Sequence, residues 1–172
     1  MKITEVKTAE VRVGNHYLYH YVRIHTDEGV YGTGEASHVE GVWRGSTRTM
    51  AARLIGKDPR DVDACFEEIR RQYIFRGGMA GLAISALTGL EIALWDLAGK
   101  ALNVPTYRLL GGATRDRVLV YRHVSGGTPA ELAERGREMV EQGWRVLRIS
   151  PIDTISGDFN SSRAIRRGVE HF

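Results

Sequence analysis

The stretch from Ala86 to Gly112, ALTGLEIALWDLAGKALNVPTYRLLGG, constrains the fold more than any other part of this chain. Small and apolar residues fill it at helical spacing. Before Asn103 the only charges are Glu91, Asp96 and Lys100. Asn103-Val104-Pro105 supplies a stop, because asparagine tolerates the left-handed conformation that closes a helix and proline cannot continue one. A helix this rich in Ala and Gly lets neighbouring backbones come close, so it is expected in the middle of a helical cluster.

The segments before it read as strands and then helices. Residues 2–13 alternate loosely, residues 17–26 are rich in aromatic and β-branched side chains, and residues 30–36 return after the turn signal Asp27-Glu28-Gly29. Three strands with short links predict an antiparallel meander. Gly41 to Gly45 reads as a loop and Ser46 to Ile55 as a helix. Asp58-Pro59 reads as an N-cap followed by proline at the first helical position, opening a helix to about Tyr73 with Val62, Cys65, Phe66 and Ile69 on one face. Phe75-Arg76-Gly77-Gly78 breaks it before the small-residue helix. The rhythm changes after Gly112. Arg117 to Val124 reads as a strand, Thr128-Pro129-Ala130-Glu131 as a capping box opening a helix to Gln142, and Trp144 to Ser150 as a second strand. Strand, helix, strand predicts a parallel pair with a right-handed crossover. Ser161 to Phe172 begins a further helix.

The expected organisation is thus an α+β domain over 1–112 and a βαβ unit over 113–172. Two strands and one and a half helices cannot cover both sheet faces, so the second domain reads as incomplete.

Composition excludes several function classes. With 24 Lys and Arg against 21 Asp and Glu, spread along the chain, no basic face suits nucleic acid. No apolar run is long enough for a membrane span, since Glu91 closes the one from Met79, and the N-terminus lacks a signal-peptide core. A single cysteine, Cys65, precludes an internal disulfide and fits a reducing, cytoplasmic setting.

Several short motifs accompany the helix: Asp27-Glu28-Gly29, Gly32-Thr33-Gly34-Glu35, Leu54-Ile55-Gly56-Lys57-Asp58-Pro59, Phe75-Arg76-Gly77-Gly78 and Ala93-Leu94-Trp95-Asp96. Together they resemble the mandelate racemase and muconate lactonising enzyme branch of the enolase superfamily, and within it the galactonate, gluconate and mannonate dehydratases. Thr88 and Thr106 depart from its usual smaller or aliphatic residues. The resemblance implies that 1–112 is the capping domain and 113–172 the start of a (β/α) barrel. It implies abstraction of the proton beside a carboxylate, with Mg²⁺ stabilising the resulting enediolate. The family's metal carboxylates come from later barrel strands, so Mg²⁺ is expected in the full-length protein and no metal site in this chain. A small-molecule sugar-acid substrate and a homo-oligomer are the implied partners.

Arg148 is the candidate catalytic residue. Alternation places Leu147 and Ile149 on one face and Arg148 on the other, toward the barrel interior near its mouth. The family commonly has Lys-x-Lys here; Arg148-Ile149-Ser150 removes a lysine base, and mannonate dehydratase relatives carry an arginine at the matching place. The alternative is that Arg148 pairs with a carboxylate or binds the substrate anion, since a guanidinium is hard to deprotonate. His123, near the end of the first barrel strand, and His38, in a loop with Trp43 and Arg44, are candidate substrate contacts. Their bland alternatives are a core histidine and exposed loop polarity.

Other candidates fail on geometry. Glu91 and Asp96 diverge on their helix, where capping or pairing with Lys100 fits better. His16 and His20 would lie ~13 Å apart on a strand, too far to share a zinc ion. Gly32-Thr33-Gly34 lacks the third glycine and the helix of a dinucleotide loop. Cys65 sits on a core face. The chain therefore reads as the N-terminal part of a Mg²⁺-dependent sugar-acid dehydratase, inactive alone. The alternatives are a racemase or cycloisomerase of the same superfamily, or a non-catalytic remnant that self-associates.

Overall fold

The computed structural model describes residues 1–14, 17–36, 43–74 and 82–149. The chain divides into two compact units, Met1–Ala113 and a second beginning at Thr114. Among the described residues, no helix is long and apolar enough to cross a membrane.

The first unit opens with the expected meander. Strands β1 (Ile3–Val13), β2 (Tyr17–Thr26) and β3 (Tyr31–Ala36) pair antiparallel in the order β1-β2-β3. The predicted turn closes with Gly29 donating its N–H to the Thr26 carbonyl at 3.3 Å and adopting a φ of +78°, which glycine reaches without strain. Helices α1 (Trp43–Ala51), α2 (Val62–Ile74), α3 (Leu82–Ala101) and the short α4 (Thr106–Leu109) follow. Alternate residues of β2 (Val22, Ile24) join Met50, Leu54, Ile69, Leu90, Leu94 and Leu97 in the buried core. The predicted α2 face is confirmed by buried Val62, Cys65 and Ile69.

The neighbour of the small-residue helix differs from expectation. α3 touches α1, α2 and α4, but its closest packing is against β3 of the sheet. A Cβ on Gly34 would lie 2.1 Å from the Gly89 carbonyl oxygen, and one on Gly32 2.0 Å from that of Ala93. Glycines on β3 meet Gly89 and Ala93 on α3, so strand and helix backbones touch directly. Asp96 reinforces the seam, accepting the Thr33 N–H at 2.8 Å and pairing with Lys100, whose ammonium also reaches the Tyr31 carbonyl at 3.2 Å. A carboxylate that the sequence offered as capping or pairing thus holds the free edge of β3. α3 stops as read. Asn103 takes a φ of +55°, its N–H donates to the Lys100 carbonyl at 3.2 Å, and the Val104 N–H donates to Gly99 at 2.9 Å. That is a Schellman closure.

Two helix starts are corrected. α1 spans Trp43–Ala51, so Trp43 and Arg44 belong to its first turn, with Arg44 paired to Glu10 at 2.8 Å. α2 begins at Val62, and the first bond of its ladder runs from the Cys65 N–H to the Asp61 carbonyl at 3.0 Å. Asp58-Pro59 instead forms the preceding turn. The Asp58 carboxylate accepts the Arg60 backbone N–H at 3.0 Å and its Nε at 2.9 Å, a local alternative to helix. These bonds from Arg60 hold the Asp58 carboxyl well below the usual carboxylate range. A depressed folded pKa contributes stability above ~4, the ordinary value, and loses it as pH falls. The Asp58→Asn variant should therefore lose less stability than the wild type between pH ~5 and ~2, as measured by denaturant titration at each pH.

The second unit is a βαβ: β4 (Arg122–Val124), α5 (Pro129–Glu141) and β5 (Leu147–Ile149), with β4 and β5 parallel. Both strands are shorter than the readings over 117–124 and 144–150. A strand exists only where a ladder exists, and among the described residues β5 pairs with Arg122, His123 and Val124. Val118 and Leu119 stay 71% and 70% exposed. The capping box forms with one change of partner. The Glu131 N–H donates to Thr128 Oγ1 at 3.2 Å, while the Glu131 carboxylate takes the Gly127 N–H at 2.9 Å. Thr128→Ala should cost ~1 kcal/mol, read from the denaturation midpoint of this unit. The reading of Ser161 to Phe172 as a helix and that of Phe75-Arg76-Gly77-Gly78 as a break lie outside the described residues.

Candidate functional site

Parallel pairing sets Arg148 of β5 directly opposite His123 of β4. Alternation sends their side chains to one face of the pair. On the other face Val124 is buried, and Leu147 comes within 3.9 Å of where a Cβ on Gly136 of α5 would stand. The helix covers the apolar face, and Arg148 and His123 stand on the face it leaves open. Both are exposed within this unit.

A third side chain joins them. Tyr121, two residues before His123, accepts a hydrogen bond from Arg148 Nη1 at 3.0 Å. Its ring centroid lies 5.7 Å from the guanidinium carbon and 5.3 Å from the His123 ring. The sequence reading missed Tyr121. The signal was present, since residues i and i+2 of a strand share a face, but nothing in the sequence sets the reach of Arg148. Among the described residues no carboxylate lies within ion-pair distance of Arg148. The arrangement offers a permanent cation with free N–H donors, a phenol and an imidazole. Such a set can bind an anionic, hydroxylated molecule and move a proton.

The remaining candidates separate. His38 lies outside the described residues, as does His16. His20 is fully buried on β2, beside Glu10 of the neighbouring strand at 3.7 Å. Burial pushes the Cys65 thiol up, and its sulfur faces the Asp58 carbonyl at 3.5 Å, so it remains a core thiol. A cleft of about 550 Å³ on the outward face of the sheet is lined by Lys7, Tyr21, Arg23 and His25. Its cations are already engaged, Arg23 on the Tyr31 ring at 4.5 Å and Lys7 with Glu5 at 3.1 Å. Among the described residues no group of three or more His, Cys, Asp or Glu is placed to hold a metal ion.

Residues 3–111 match the profile of the mandelate racemase / muconate lactonizing enzyme N-terminal domain. The chain belongs to this family. The meander with α1 to α4 is thus the capping domain of the enolase superfamily, and β4-α5-β5 is a barrel opening. Similar curated proteins are a D-galactonate dehydratase from Verminephrobacter eiseniae and a D-xylonate dehydratase from Haloferax volcanii. The first is 36% identical over 98% of the chain and 43% of its own length. The second is 38% identical over 91% of the chain and 38% of its own length. A solved mandelate racemase/muconate lactonizing protein from Paracoccus denitrificans PD1222, complexed with magnesium, superposes with a TM-score of 0.76. It is 30% identical, over 98% of the chain and 48% of its own length. The chain therefore spans less than half the length of each of these three relatives.

Proposed function

We propose that this chain is the N-terminal part of a Mg²⁺-dependent aldonate dehydratase. The reaction removes the proton α to the carboxylate and expels the β-hydroxyl as water, leaving a 2-keto-3-deoxy acid. The observation that carries the reading is the placement of Arg148 and His123 side by side on the uncovered face of β4-β5. The sugar-acid dehydratases among its relatives support the substrate class, and the magnesium-bound relative supports the cofactor. Arg148 is the catalytic residue: always charged, it donates N–H bonds to the anionic substrate as charge develops there. His123, and His38 on the capping side, contact the substrate. The protein works in the cytoplasm, in keeping with a single, buried cysteine, and as a homo-oligomer, as the family resemblance implies.

The test is turnover by the gene product of a panel of aldonic acids with Mg²⁺, read as 2-keto-3-deoxy acid formed. Product from at least one acid is expected; none from any would overturn the assignment. Residues 1–172 alone should show neither turnover nor tight Mg²⁺ binding, and micromolar affinity in calorimetry would contradict that.

A further inference from the structure

We propose that Tyr121 is a positioning residue that aims the Arg148 guanidinium, an assignment that rests on the catalytic reading of Arg148. An arginine has a long, flexible stem, and a catalytic guanidinium needs a fixed direction. Here Arg148 projects from a three-residue strand, exposed and, among the described residues, without a carboxylate to hold it. Tyr121 supplies the missing anchor. Its phenol oxygen accepts from Nη1 at 3.0 Å. Its own position is stiff, because a tyrosine has two side-chain torsions and this ring lies against His123 at 5.3 Å, tilted by 54°. Tyr121 is 49% exposed, so burial does not explain its place. One nitrogen of Arg148 is tied down while the others stay available to a ligand. The bond also leaves the phenol proton free to point away from the guanidinium, toward the same ligand.

Two measurements test this. In residues 1–172, Tyr121→Phe keeps the ring and removes the acceptor. The guanidinium N–H resonances of Arg148 should then shift and broaden in ¹H–¹⁵N spectra, and Tyr107→Phe in the first unit should leave them unchanged. Unmoved resonances in Tyr121→Phe overturn the proposal whether or not any acid sugar is turned over. In the gene product, Tyr121→Phe should lower kcat by roughly 10- to 100-fold with KM within about threefold. Combined with Arg148→Lys, it should add almost nothing, since it acts through that arginine. Wild-type kcat, or losses that multiply in the double variant, would refute positioning. Arg148→Lys at full activity would instead refute the catalytic reading of Arg148, so the two failures are distinguishable.

Discussion

Gly34→Ala should destabilise the first unit by ~4 kcal/mol or more. The added methyl group would sit 2.1 Å from the Gly89 carbonyl oxygen and 2.7 Å from the Ala93 nitrogen. Neither is the far end of a side chain that could swing aside; both belong to the backbone of α3. Relief requires β3 to move off α3 by an ångström or more. That would break the bond from the Thr33 N–H to Asp96 and open the core around Leu90 and Leu94. Overpacking in a core commonly costs ~1–3 kcal/mol. A clash between two backbones belongs in the exceptional range of ~4 kcal/mol and above, comparable to the ~5–15 kcal/mol that stabilises a typical domain. Gly45→Ala provides the contrast. Its Cβ meets nothing within 4 Å among the described residues, and it lies in α1, where alanine is favoured by ~0.5–1 kcal/mol. Far-UV circular dichroism and urea titration of both variants decide the point. A folded Gly34→Ala protein with a near-normal midpoint would show that the seam between β3 and α3 is looser than described.

Arg148→Lys should reduce kcat of the gene product by ~10²–10⁴ on whichever aldonate it accepts, the span removed with a positioned proton-transfer or charge-stabilising group. The substitution preserves charge and most of the stem. What it loses is the planar fork, which binds Tyr121 with one nitrogen and presents the others outward. Since Arg148 is exposed in its unit, the same variant of residues 1–172 should fold with an unchanged denaturation midpoint, which separates a chemical defect from a structural one. A kcat within twofold of wild type would remove Arg148 from the mechanism.

Much of this was legible in the chain. The strong β-formers of 17–26, the turn at Gly29, the capping box at Thr128 and the stop at Asn103 are local signals, satisfied by bonds within a few residues, and each appears where its chemistry places it. Motifs such as Ala93-Leu94-Trp95-Asp96 carried the family. Less legible was whatever depends on a distant partner. Residues 117–121 have strand composition but, among the described residues, lack a ladder opposite them, and Asp58-Pro59 has the composition of a helix start but spends its carboxylate on Arg60.

The amino-acid order alone thus showed where most strands and helices lie, because that rests on periodicity and on turn chemistry read over a few neighbouring residues, and its short motifs carried the resemblance to the family. Tertiary structure alone decided that the small residues of α3 serve contact with β3, that Asp96 guards the strand edge, and that Tyr121 meets Arg148. Each of these joins groups 27 to 63 positions apart. At such separations only the packed register of strand on helix, and of strand beside strand, determines which atoms touch.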